Sequence, residues 1–174
     1  MSDVIVLKRK LADIEEALRE AQEMDQRQQQ MMSLHPSLYD EHLHNAGLSQ
    51  ATQSVYTRLE DVLKDILTLS DGSVPASPSW HRDLLLQAST SVPGVRQEII
   101  STETHRSLSD LLGFRHVVRS AYVSELRTTE VRRNADLMFD ATPRALQEVR
   151  AMCSAFFGGD AGDDQGLSRR RSPP

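Results

Sequence analysis

Apolar residues that recur three and four positions apart constrain the fold of this chain more than any other feature. This spacing puts them on one face of an α-helix, so each segment that has it predicts a helix with a buried face. The stretch 108–126 is the most informative segment, because two arginines lie on or beside its apolar face. The apolar positions are Leu108, Leu111, Leu112, Val118, Tyr122 and Leu126, and the arginines are Arg115 and Arg119.

Arg115 and Arg119 need partners on that face, because moving an unpaired charge out of water costs several kcal/mol. Two interpretations are open. The chain has 25 acidic residues, and carboxylates on neighbouring helices would pair with the guanidinium groups inside the fold. Alternatively, the face opens onto a cleft that binds a negatively charged ligand.

Four further segments have the same helical spacing, and no alternating strand pattern bounded by hairpin turns is found. We therefore predict an all-α fold, an up-and-down bundle of four to five helices. The predicted helices are one with an apolar seam over 4–21, one over about 48–69, a short one carrying Trp80, the arginine-bearing helix starting between 96 and 104 and ending near 127, and one over about 129–157.

Several positions within these helices give specific expectations. We expect Glu60, four residues before Lys64, on the exposed side of the second helix. His81 is expected to be partly buried and bonded to a backbone carbonyl, although it is also placed to reach a site. Pro143 should kink the last helix or restart it, and the preserved apolar register favours a kink. The buried face of the second helix is expected to consist of Val55, Leu59, Val62, Ile66 and Leu69.

The segment after the first helix contains a group of histidines. Proline disfavours a helical conformation in the residue before it and lacks an amide hydrogen, so His35-Pro36 should end the helix. The chain from there to Gly47 is then expected to be a loop. His42 and His44 lie in this loop with His35, but neither cysteines nor a fixed helical spacing accompany them. We therefore interpret them as solvated side chains, and we predict no metal site.

Composition restricts the class of protein further. No apolar run is long enough to cross a bilayer, and Cys153 is the single cysteine, so we expect a cytoplasmic protein and no membrane partner. A net charge of −5 argues against a protein that coats nucleic acid through bulk electrostatics. Between Arg115 and Arg133, however, five arginines face two glutamates, which predicts a local positive patch.

The arginine-bearing helix resembles the signature helix of HEPN domains, and specifically of the HepT-like toxins. Leu111-Leu-Gly-Phe114 is followed by Arg115, four residues, Ser120, one residue and Tyr122. The family pattern is arginine, four residues, histidine, one residue and tyrosine, so Ser120 occupies the histidine position. The segments 71–75 and 79–84 resemble one branch of the family in order and spacing.

This resemblance covers roughly residues 55–157. It implies a HepT-like HEPN domain over residues 1–157, followed by a disordered tail over 158–174 that is rich in glycine, aspartate and arginine.

By this resemblance, the chain is a ribonuclease toxin that cleaves RNA without a metal or cofactor, at a composite site between two copies of the signature helix in a homodimer. Arg115 would bind the scissile phosphate, and Arg119 would hold RNA or support the dimer cleft. Ser120 cannot replace the histidine, because an alcohol without an activating base does not exchange a proton usefully near neutral pH. His116, one turn earlier, is a possible substitute. No arginine in the chain has a histidine five to seven positions later, so the complete motif is absent.

Tyr122 has a separate role in the family. A small nucleotidyltransferase antitoxin of the MNT type transfers AMP onto the motif tyrosine and thereby silences the toxin. The resemblance thus implies Tyr122 as a modification site. The alternatives are a catalytically inactive HEPN module that binds RNA or a nucleotidyltransferase, and a helical interaction domain in which the arginines are structural.

Overall fold

Each segment with helical spacing forms an α-helix in the computed structural model, which describes residues 2–120 and 126–157. No β-strand occurs within these residues, so the predicted all-α bundle is confirmed. The helices are α1 (Ser2–Leu34), α2 (Glu41–Asp71), α3 (Trp80–Ala88), α4 (Thr102–Ser120) and α5 (Thr128–Phe157).

The core is built around α2, which packs against each of the other four helices. The apolar seam predicted for α1 is buried from Leu7 to Ala21, with Ile14 fully inaccessible, whereas Val4 at its start is half-buried. In α5 the predicted apolar positions from Val131 to Met152 are buried, and the helix continues through Pro143. Each fully buried Leu, Val or Ile side chain stabilises the fold by about 1.5–3 kcal/mol relative to an exposed one.

The start of α2 differs from the prediction, because residues 41–47 are helical rather than a loop. Asp40 is the N-cap, and its carboxylate accepts a hydrogen bond from the Leu43 amide at 3.0 Å. This bond satisfies one of the amides that a helix N-terminus leaves unpaired. His42 and His44 therefore belong to the first turns of α2, whereas His35 is in the connection and is exposed.

Two predictions about the faces of α2 are also wrong. Leu69 is 40% exposed, and the buried face of α2 ends at Leu67. Glu60, which we expected on the exposed face with Lys64, has only 3% of its surface exposed. The partners that hold this carboxylate inside the bundle form the site described below.

The end of α4 is likewise earlier than predicted. Its continuation to residue 127 is wrong, because Leu126 and Arg127 lie outside any helix. The Arg127 carbonyl instead accepts the amides of Glu130 at 2.9 Å and Val131 at 3.0 Å, which starts α5. Tyr122 and the predicted tail over 158–174 lie outside the described residues. Within those residues, no helix has the combined length and apolar character that a membrane crossing requires.

Candidate functional site

Arg115 lies on α4 at the place where this helix meets α2 and α3. Its guanidinium nitrogen Nη1 donates to Glu60 Oε2 at 3.3 Å and lies 3.2 Å from Nδ1 and 3.4 Å from Nε2 of His81. The carbon Cζ lies 5.9 Å from the centre of the Tyr56 ring. The Arg115 side chain is 15% exposed. One nitrogen of Arg115 is therefore anchored inside the bundle.

Glu60 is the centre of this anchor. Its Oε1 accepts from the Tyr56 hydroxyl at 3.1 Å and lies 2.5 Å from Nδ1 of His81, so both carboxylate oxygens have partners. Burial, together with the charge of Glu60, raises the pKa of the Tyr56 phenol, which keeps it protonated as a donor. The indole of Trp80 stacks on the His81 ring with centroids 3.6 Å apart, which fixes the imidazole in place.

The other two nitrogens of the Arg115 guanidinium have no such anchor among the described residues. Within residues 2–120 and 126–157, no hydrogen-bond acceptor contacts its Nε or Nη2, and the side chain lines a surface groove of about 360 Å³. We call this surface the arginine groove. Its lining consists of Gln50, Gln53, Ser54, Thr57 and Arg58 from α2, and of Arg115 and Arg119 from α4.

The charge of the arginine groove is opposite to that of the whole chain. Arginines 58, 115 and 119 line it, and none of its lining residues, all within the described ranges, is acidic. The neighbouring groove between α1 and α2, by contrast, is lined by four carboxylates, those of Asp13, Glu16, Glu20 and Asp61, against two cations, Lys10 and Arg58. A chain of net charge −5 thus has a locally positive groove next to an acidic one, and such a groove attracts anionic ligands.

The predicted site residues fall into three groups. Arg115 and Arg119 lie one helical turn apart, and both line the arginine groove. His116 is exposed on α4 and is not among the residues that line the groove. Ser120 is the last residue of α4, and its side chain, like all of Tyr122, lies outside the described part of the structure.

His81 is partly buried, as predicted, but its predicted partner is wrong. The imidazole binds the Glu60 carboxylate rather than a backbone carbonyl. Sequence reasoning also missed Glu60 itself and Arg58. The available signal was Tyr56, four residues before Glu60 and beside the buried Val55, because side chains spaced by four share a helix face.

A second polar network lies apart from the groove and holds His44. The interpretation of His44 as a solvated side chain is wrong, because only 7% of its surface is exposed. Asp25 Oδ1 contacts His44 Nε2 at 2.9 Å and accepts from Arg132 Nη1 at 2.7 Å, while the Tyr39 hydroxyl lies 3.0 Å from His44 Nδ1. Burial opposes ionisation of Asp25, but the bonds from Arg132 and His44 outweigh it and lower the pKa of this carboxyl. Arg132, one of the arginines of the predicted positive patch, is therefore paired.

The chain is thus an all-α bundle in which two arginines, one turn apart on α4, line a groove that α4 shares with α2. Residues 47–156 match the model of the family described as HepT-like protein. The chain therefore belongs to the HepT-like family, as its signature helix suggested. Neither a curated protein nor a solved structure gives a significant match.

Proposed function

We propose that this protein is the ribonuclease toxin of a toxin–antitoxin pair, with Arg115 and Arg119 holding the phosphate of an RNA strand. The supporting observation is that only one nitrogen of the Arg115 guanidinium is anchored by the protein. Nη1 donates to Glu60 and lies beside the His81 imidazole, whereas Nε and Nη2 have no acceptor among the described residues and the side chain lines the arginine groove. Two adjacent N–H groups of a fixed guanidinium match two oxygens of a phosphate.

A positioned guanidinium suits the chemistry expected of such a toxin. In metal-independent cleavage, the ribose 2′-hydroxyl loses its proton and attacks the adjacent phosphorus. The bond from phosphorus to the 5′-oxygen then breaks, and that oxygen takes up a proton. Negative charge accumulates on the phosphate during this step, and a cation held beforehand by Glu60 stabilises it without reorganising.

The weak point of this mechanism is proton transfer. Ser120 occupies the place of the motif histidine, and loss of a general acid or base costs about two to four orders of magnitude in rate. His116 is the possible substitute on the same helix. We therefore propose slow cleavage at a composite site in a homodimer, rather than the full activity of a complete motif.

A second candidate is an inactive HEPN module that binds RNA or a nucleotidyltransferase and acts as a regulator or scaffold. The contact between Arg115 and the buried Glu60 favours it, because a carboxylate offsets part of the charge that catalysis requires. In both candidates, a small MNT-type nucleotidyltransferase is the proposed partner, Tyr122 is the proposed AMP acceptor, and the cytoplasm is the proposed compartment.

The test is cleavage of single-stranded RNA in the presence of EDTA. Wild-type protein is expected to cleave slowly, Arg115→Ala to lose this activity, and Ser120→His to accelerate it by about a hundredfold or more. Uncleaved but bound RNA, with cleavage appearing only in Ser120→His, would select the inactive module. If the wild-type protein neither binds nor cleaves RNA, both candidates are wrong.

A further inference from the structure

The arginine groove has a second wall that the signature helix does not include. Residues 50, 53, 54, 57 and 58 stand at positions i, i+3, i+4, i+7 and i+8, so they occupy a single stripe of α2. Every member has a side chain that donates hydrogen bonds. The opposite wall, on α4, consists of Arg115 and Arg119.

Arg58 is exposed on the α2 wall of the arginine groove. Its Nη1 donates to the backbone carbonyl of Asp13 at 3.2 Å, and no carboxylate of residues 2–120 and 126–157 forms an ion pair with it. It lines both the arginine groove and the acidic groove beside it. The charge of Arg58 is therefore available to a ligand in the arginine groove, and the carboxylates of the acidic groove repel an anion that lies on the other side.

We propose that the α2 wall is the second half of an RNA-backbone subsite, in which Arg58 binds a phosphate next to the one held by Arg115. Gln50, Gln53, Ser54 and Thr57 donate to phosphate and ribose oxygens along the same wall of the groove. This inference rests on the proposed function, since it takes RNA as the ligand. It adds that the strand is gripped between two helices of the same chain.

The lining also indicates how the strand is held. No residue of this lining, all of it within the described structure, is aromatic, so bases have no platform to stack on. The available groups are cations, amides and hydroxyls, which match phosphate and sugar oxygens. We therefore expect binding that depends strongly on salt and weakly on base sequence.

The experiment measures the affinity of the full-length protein for a short fluorescent single-stranded RNA by anisotropy, at several salt concentrations. Arg58→Ala is expected to weaken binding by about threefold to tenfold and to reduce the salt slope by about 0.7, the value for one contact with a single strand. Gln53→Glu, which puts an anion into the groove, is expected to weaken binding by about tenfold or more.

Matched controls separate the groove from general charge effects. Arg106→Ala and Gln147→Glu make the same changes at exposed positions outside the groove, on α4 and α5, and should leave affinity within about twofold. Because Arg58 is exposed and Gln53 is half-buried, thermal unfolding should remain close to wild type.

Arg115→Ala distinguishes the possible failures. If Arg115→Ala abolishes binding while Arg58→Ala and Gln53→Glu match their controls, the α2 wall is not part of the site and the proposed function stands. If the wild-type protein does not bind RNA at all, the proposed function and this inference both fall. Loss of binding in Arg58→Ala and Gln53→Glu, with unchanged controls, supports the inference.

Discussion

Arg96 and Arg115 are both largely buried arginines that contact a carboxylate of α2, but their hydrogen bonding differs. Arg96 lies between α3 and α4, has no exposed side-chain surface, and binds Asp71 through Nε at 2.6 Å and Nη2 at 2.8 Å. Its remaining donors bind the backbone carbonyls of Gln87, Thr90 and Gln97. All five N–H groups of a guanidinium can be accounted for in this way.

Arg115, by contrast, is anchored through Nη1 alone within the described structure. A guanidinium that is fully satisfied stabilises the connection it spans and has nothing left to offer a ligand. One that is held at a single nitrogen keeps its position and can still bind an anion. Burial and a carboxylate partner therefore do not by themselves identify a structural arginine.

The largest predicted effect is a loss of stability when the Arg96 side chain is removed. Arg96→Ala leaves three backbone carbonyls without their donor and leaves Asp71 with only the neutral donors Ser70 and Gln87. Breaking a buried ion pair costs about 3–5 kcal/mol of unfolding free energy. Chemical denaturation should show this loss. Arg82→Ala, at an exposed position on α3, is the control and is expected to change stability by less than about 0.5 kcal/mol. Equal effects of both substitutions would contradict a structural role for Arg96.

The next effect is a dependence of the unfolding free energy on pH in the acid range. Bonds from Arg96 hold the pKa of Asp71 well below its usual range, although burial acts in the opposite direction. The folded state thus favours the charged form of Asp71. Its stabilisation is complete above the pKa of the carboxyl in the unfolded chain, about 3.9, and is lost as the pH falls through its pKa in the folded protein. Such a carboxylate contributes of order 2 kcal/mol.

Asp71→Asn tests this dependence by comparison with wild type from pH 7 downward. The difference in unfolding free energy should be largest at neutral pH and should shrink once the pH is below about 4. Other carboxylates are common to both proteins and cancel in the difference. A difference that stays constant over this range would mean that the charge of Asp71 contributes nothing.

Arg115→Ala should have a smaller effect on stability than Arg96→Ala, about 1 kcal/mol, because Glu60 keeps its contacts with Tyr56 and His81. Denaturation of the two variants side by side measures this ranking. A loss as large as that of Arg96→Ala would place Arg115 among the structural residues and would weaken its proposed role in RNA binding.

The smallest effects concern two glycines, Gly72 next to Asp71 and Gly113 two residues before Arg115. Gly72 caps α2 with φ of 73°, so Gly72→Ala should cost about 1 kcal/mol. Gly113 lies inside α4 with open space around it, so Gly113→Ala should stabilise by about 0.5–1 kcal/mol. Thermal denaturation should show shifts of opposite sign, and two shifts of the same sign would contradict this assignment.

Much of the fold was predictable because the signals for helices are local. Apolar spacing identified the buried faces of α1 and α5, and proline marked the end of α1. The cap at Asp40 is also local, and it was the overlooked signal for the start of α2.

The site was predictable only in part. Arg115 and Arg119 came from a motif within one helix, but Glu60 looked like one member of an exposed pair with Lys64. Its burial depends on His81, 21 residues later, and on Arg115, 55 residues later. No local pattern encodes such contacts. For the same reason the sequence does not indicate Arg58, whose role depends on the groove that α2 and α4 share.

The most direct test of the central claim is the salt dependence of RNA binding when both arginines of α4 are removed. The Arg115→Ala, Arg119→Ala double variant should bind single-stranded RNA more weakly, with a salt slope reduced by about 1.4, the value for two phosphate contacts. The Arg82→Ala, Arg106→Ala double variant removes the same charge outside the groove and should keep the wild-type slope. If both double variants show the same slope and affinity, the arginine groove does not bind RNA.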